Sequence, residues 1–391
     1  MTMPARTLAL IALVALTACG TTSEIAAPAP PTPTVAVSPT PLSCSARLFA
    51  GLSPTQRVGQ LIFLGLVNNQ LGQAERTAIQ SYGVGSVWFT ELTNAPSSYV
   101  AGVSAQAQAL GGPAAGGIGL LVGANQEGGQ IDQFHGPGFT PIPSALQQGS
   151  EDPAVLAGQA ATWASQLKQA GVNLNLAPVM DTVPPGNDQS NAPIGALQRE
   201  FGHDPATVSA HGLAFIAGMH QSGELVTIKH FPGLGRVVGN TDFAASVVDQ
   251  TTTPNDPYLG PFQQAIAAGA DLVMVSTATY TRIDPQHLAV FSPVVIGLLR
   301  GTLHFDGVIV SDDLGSAVSV ASIPPGDRAV DFIAAGGDLV TVKTANLVGP
   351  MVGAILQRAA TDSAFAAQVD AAVKKVLELK VHAGLAGCGA A

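Results

Sequence analysis

Eight short apolar runs recur along this chain, each bounded by turn residues and separated from the next by a helix-like stretch. This alternation limits the folds open to it more than any other feature. The runs are 59–66 (GQLIFLGL), 84–89 (VGSVWF), 118–122 (IGLLV), 172–176 (VNLNL), 225–228 (LVTI), 271–275 (DLVMV), 307–310 (GVIV) and 338–342 (DLVTV). They are apolar without strict alternation, as strands buried on both faces are. Helix-like stretches include 153–169, 205–221, 261–268 and 293–303. Strand alternating with helix predicts a parallel sheet. Eight such units within about 290 residues favour a single (β/α)8 TIM-type barrel, with an open doubly wound sheet as the runner-up. No GxGxxG opens a helix after an early strand and no GxxxxGK[ST] is present. A nucleotide therefore has no support, and no cofactor is expected.

Composition narrows the partners. Hydrophobic residues make up 47% and charged residues 11%, far too apolar for a disordered chain. The net charge of −10 leaves no basic footprint, so no nucleic-acid partner is expected. Mean hydropathy is +0.33, but past residue 20 no stretch reaches the roughly 18 uninterrupted apolar residues of a spanning helix.

The N-terminus reads as an address. Arg6 precedes a short apolar stretch, Leu8 to Leu16, and then Leu16-Thr17-Ala18-Cys19. The apolar stretch suits a signal peptide and is too short to span a membrane. The four residues resemble a bacterial lipobox, in which the Cys is lipidated and becomes the new N-terminus. This predicts a signal peptide over 1–18, a lipid anchor on Cys19 and a protein held at the outer face of the bacterial cell membrane. Residues 25–46 carry no charge, and six prolines fall between Pro28 and Pro41. Such a segment is extended and builds no core, so 19–43 reads as a tether and 44–391 as the folded domain, expected to be monomeric. The other two thiols, Cys44 and Cys388, sit at the two ends of that domain. Barrel termini usually lie close together and an exported chain meets an oxidising compartment, so a Cys44–Cys388 disulfide is expected.

In a barrel the chemistry sits on the loops after the strands. Run three is followed by Asn125-Gln126-Glu127-Gly128-Gly129, run four runs into Asn175 and then Asp181, run five is followed by Lys229-His230, and run seven by Ser311-Asp312-Asp313. In a chain this poor in charge, the clustering points to one site. There is no HExxH, no CxxC and no tight His cluster, so no metal centre is expected. GxSxG is also absent, which removes the lipase-type serine. What remains is carboxylates with Lys, Arg and His. Acetal cleavage needs such a set: one carboxylate attacks or stabilises the oxocarbenium-like carbon, and a second group protonates the leaving oxygen.

These segments resemble family 3 glycoside hydrolases. Lys229-His230-Phe231-Pro232-Gly233-Leu234-Gly235 is similar to that family's KHFPGHG, and the segment from Gly307 to Leu314 is similar to its GVxxSD nucleophile segment. Gln126-Glu127-Gly128-Gly129 followed by Gly136-Pro137-Gly138-Phe139 resembles QEGG…GPGF. The segments Asn175 to Asp181 and Arg199 to Pro205 match NxAPVxD and RxFGxDP. The resemblance runs in order from about Leu52 to Leu379, nearest the single-domain bacterial β-N-acetylhexosaminidases that release N-acetylglucosamine from peptidoglycan fragments. It implies Asp312 as nucleophile, with Lys229, His230 and Arg199 holding the non-reducing sugar. Asp181 is expected to support the barrel mouth and Asp313 to cap the following helix. For Glu127, a structural role and a catalytic one are both open.

Four positions depart from the pattern. Asn125 stands where much of the family has a sugar-binding Asp; an amide still bonds hydroxyls, without the charge-assisted strength. Leu234 replaces the second His of KHFPGHG, and Thr277 stands where the branch often has His. A loop that in this branch carries Asp-Ser-His, with the His as acid/base, here reads Asn240-Thr241-Asp242. Two readings follow. In one, Asp242 replaces the His as acid/base. In the other, the loop has lost that role, leaving a slow hydrolase or a tethered glycan-binding barrel. A β-glucosidase-type specificity is a further alternative.

Overall fold

The computed structural model describes residues 42–388, with four isolated positions (12, 14, 15 and 20) before them. The expected signal peptide, Cys19 and the expected tether up to Pro41 otherwise lie outside the described residues. The folded unit begins at Leu42. Among the described residues, no helix is long and apolar enough to cross a membrane.

All eight apolar runs become parallel strands of one sheet: β1 (Ile62–Leu66), β2 (Ser86–Phe89), β3 (Leu121–Ala124), β4 (Leu174–Asn175), β5 (Leu225–Phe231), β6 (Leu272–Val275), β7 (Val308–Ser311) and β8 (Val340–Val342). Spatial order follows chain order, with β8 paired back onto β1 at Ile62↔Val340. A single parallel bridge, Val310↔Leu339, joins β7 to β8 and closes the ring. This is a (β/α)8 barrel, not a doubly wound sheet. Every residue of these strands is buried, since the core fills the barrel on one face and helices cover the other.

Local chemistry sets the helix starts. The helices Pro153–Gln169, Pro205–Gln221 and Pro293–Gly297 each begin with proline after Asp152, Asp204 or Ser292, whose side chain accepts a first-turn backbone N–H. Proline needs no partner for its missing N–H there, and the cap satisfies a neighbouring donor. The predicted 293–303 helix is shorter than expected as α-helix, because Leu298–Thr302 continues as a π-helical turn. At the two ends of the domain, Cys44 and Cys388 form a disulfide with Cα atoms 5.6 Å apart. The helix Cys44–Gly51 is also held to the last helix, Ser363–His382, where the Ser45 hydroxyl donates to Glu378.

Candidate active site

The C-terminal ends of the strands open onto a cavity of about 680 Å³. Asn125, Arg199, Lys229, His230, Asp242 and Asp312 all line it. These are the six residues singled out from sequence as catalytic or sugar-binding, brought together from the end of β5 and the loops after β3, β4, β5 and β7.

Glu127 organises the floor. The QEGG segment forms a tight hairpin in which Gly128 and Gly129 take φ of 113° and 58°. A Cβ at Gly128 would lie 2.1 Å from the Pro143 carbonyl, so only glycine lets the hairpin close and fold Glu127 inward. Arg199 donates to both Glu127 oxygens at 2.8 Å, a bidentate pair. The Lys229 ammonium lies 2.5 Å from Glu127 Oε1 and donates to Asn125 Oδ1 at 2.7 Å. Burial alone would raise the Glu127 carboxyl, but the attractions of Arg199 and Lys229 outweigh it and hold the group at about 2. A carboxyl so low stays ionised and makes a poor proton donor. Its role is to neutralise and aim two buried cations. Desolvation pushes Lys229 below the usual ammonium range, against the pull of Glu127.

Asp181 orients His230. It is fully buried and accepts from the His230 ring Nδ1 at 2.8 Å and from the backbone N–H of His230 and Leu234. The Lys229–His230 and Phe231–Pro232 peptides are both cis, and Lys229 and His230 both line the cavity. With Nδ1 bonded to the carboxylate, the other ring nitrogen, Nε2, lies 3.5 Å from the Arg199 guanidinium, which joins His230 to the Glu127–Arg199 pair.

Asp312 follows the end of β7, half-buried. Its Oδ1 accepts the backbone N–H of Asp313 at 2.9 Å, and no cation pairs with it directly among the described residues. It is therefore a carboxylate with a free lone pair at the cavity wall. Asp313 differs from expectation. It caps no helix but holds the β7–β8 crossing, accepting from the backbone N–H of Gly315, Ser316 and Lys343.

Asp242 sits on the loop after β5. Asn191 anchors the loop by donating to the carbonyls of Leu234 and Val237, both at 2.7 Å. Its tip lies on the segment after β7: Val318 N–H donates to the Asp242 carbonyl and Ser319 N–H to the Thr241 carbonyl. Asp242 is exposed at the cavity rim, yet partial desolvation, then repulsion from Asp312 and Asp313, outweigh the attractions of Arg199 and His230 and push its carboxyl up to about 6. Thr277 is buried and takes up the Ser319 hydroxyl at 2.9 Å, so it braces this segment from below. Asp249, the other carboxylate near this loop, is buried in a turn with Thr251 and Thr252 and does not line the cavity. Two further residues line the mouth that sequence reasoning passed over, Glu91 and Lys343, an ion pair at 3.1 Å. They are ordinary loop charges in sequence and gain meaning only from the barrel's closure.

Residues 55–379 match the glycosyl hydrolase family 3 N-terminal domain. The chain belongs to that family. As a family 3 protein it is a glycoside hydrolase acting on O-glycosyl bonds, and the single barrel accounts for the whole match. It is 30% identical over 315 residues to the β-hexosaminidase of Stenotrophomonas maltophilia strain K279a, covering 78% of this chain and 89% of that one. The crystal structure of the β-N-acetylhexosaminidase from Beutenbergia cavernae DSM 12333 superposes with a TM-score of 0.83 at 46% identity, over 84% of this chain and 99% of the other. A family 3 β-N-acetylglucosaminidase from a Paenibacillus species gives 0.77 at 28% identity, over 87% of this chain and 64% of that one.

Proposed function

We propose that this family 3 hydrolase is a retaining, monomeric β-N-acetylhexosaminidase that removes N-acetylglucosamine from peptidoglycan fragments while held by lipid at the outer face of the bacterial cell membrane. The observation that carries the catalytic reading is the placement of a free carboxylate, Asp312, at one wall of the cavity whose floor is the Glu127–Arg199–Lys229–Asn125 network. Arg199, Lys229, Asn125 and His230 bond the hydroxyls of the non-reducing sugar. Asp312 attacks the anomeric carbon from one side. Asp242, protonated, gives its proton to the leaving oxygen on the other. Water, deprotonated by the Asp242 carboxylate, then releases the sugar from Asp312, and net retention follows from two displacements. The kinship with named β-hexosaminidases supports the amino-sugar specificity.

Chromogenic β-N-acetylglucosaminide and β-glucoside, assayed side by side, test this. The expected result is turnover of the first with the second at least tenfold poorer in kcat/KM, roughly the discrimination that one well-placed group gives. Preference for the plain glucoside moves the enzyme to β-glucosidase-type specificity. The Asn240-Thr241-Asp242 departure favours a second reading, a weakened enzyme that mainly binds glycan, and sugar binding without turnover of either substrate would establish it. For the address, Cys19→Ala is expected to move the protein from the membrane fraction to the soluble one. A wild-type protein already wholly in the medium contradicts the anchor.

A further inference from the structure

We propose that Asp188, Glu200 and His203 form a divalent-cation site on the loop that carries Arg199, outside the catalytic cavity. One ligand atom from each of these three residues lies within 4.8 Å of the other two. None of the three lines the cavity. Asp188 opens a short 3-10 turn, Glu200 directly follows Arg199, and His203 directly precedes the helix-capping Asp204.

The decisive member is Glu200. It is 0% exposed, no donor from another residue reaches its two carboxylate oxygens, and one of them lies within 4.8 Å of an Asp188 oxygen. Asp188 Oδ1 also lacks a donor. Two carboxylates set against each other in a buried place must share a proton or a cation. No Lys or Arg supplies that charge: the one basic group within ion-pair distance among the described residues is His203, whose Nδ1 is 3.4 Å from Asp188 Oδ1 and 3.3 Å from the Val183 carbonyl.

The donor set decides the metal class. Two carboxylates and an imidazole suit a borderline ion such as zinc, whereas calcium and magnesium prefer all-oxygen shells. The side chains of His203 and Asp188 are 36% and 31% exposed, so an ion has a way in from solvent and water can complete its coordination. Sequence reading expects no metal because the ligands form no familiar motif. Glu200 and His203 are three apart, but Asp188 is contributed by the far end of the loop. The cation would pin both ends of that loop and so fix the backbone of Arg199. It takes no part in bond cleavage.

The test uses the full-length protein, stripped with a chelator and titrated with zinc alone by calorimetry. We expect one saturable equivalent, and a rise in Tm of about 4 °C at a hundredfold excess over Kd. Binding should weaken at least tenfold in Glu200→Gln and in His203→Ala and persist in Asp312→Asn, which leaves the loop intact. Glu200 is buried and its variant can fail to fold; the half-exposed His203 gives the variant that keeps the test open. Absence of saturable binding to the wild type overturns the proposal in favour of a shared proton. Binding that survives unchanged in His203→Ala overturns it too, by placing the ion elsewhere.

Discussion

Asp312→Asn is expected to abolish turnover, with a loss of about 10⁴-fold or more in kcat, the scale on which removal of an enzyme nucleophile is felt. The side chain lines the cavity beyond the end of β7, half-buried, with Oδ1 accepting the Asp313 N–H. An amide oxygen can accept the same bond, so the substitution keeps shape and local geometry and removes only the charge and nucleophilicity. Circular dichroism and Tm should therefore stay close to wild type. Loss of the carboxylate deprives the oxocarbenium-like carbon of its covalent partner, an effect present only along the reaction coordinate, so kcat should fall and KM should not rise in step. A 2-fluoro sugar with a good leaving group traps the glycosyl-enzyme, and the labelled peptide should contain Asp312. A label on Glu127 would overturn the assignment. The structure argues against that outcome, because both Glu127 oxygens are occupied by Arg199 and Lys229.

The barrel was legible because burial on both faces writes itself into local sequence. A strand inside a parallel barrel must be apolar at nearly every position, and the eight runs are the eight strands, displaced by a few residues at their ends. Those ends are set by hydrogen bonds to neighbouring strands, which no local pattern records: run five extends three residues past its apolar part, through Lys229, His230 and Phe231. The polar residues beyond each run were legible for the same reason, since few charges exist and they fall where a barrel puts its mouth. What stayed hidden depends on partners distant in sequence. Glu127 could serve as catalyst or support until Arg199, 72 positions away, was found to grip both its oxygens. Asp313 looks like a helix cap in sequence, and only the adjacency of β8 shows it holding Lys343 N–H. The Asp188–Glu200–His203 group is invisible without the loop that folds its ends together.

Asp242→Ala is expected to separate the enzyme's two kinds of substrate. A general acid matters most when the leaving group is poor, because such a group must receive a proton as the bond breaks. On a natural disaccharide, kcat/KM should fall by roughly 10² to 10⁴-fold, the range general-acid catalysis supplies. An activated aryl glycoside leaves as a stable phenolate and should lose far less in its glycosylation step. Deglycosylation then becomes limiting, since the same residue must deprotonate the incoming water. Azide, a small anion needing no base, should restore the rate and yield a β-glycosyl azide. The pH profile gives an independent reading. With its carboxyl pushed up to about 6, Asp242 carries its proton below that pH and loses it above. Glycosylation of the disaccharide should therefore decline as pH rises through about 6, and the same limb should be missing from the residual activity of Asp242→Ala on that disaccharide. Equal, small losses on both substrates with no azide effect would make Asp242 a solvated turn residue. Glu127 could not then take its place, being fixed by Arg199 and Lys229, nor could Asp249, closed in its turn with Thr251 and Thr252. In that event Asp313, Glu91 or a diffusible acid would have to supply the proton, and a rate that depends on buffer concentration would identify the last.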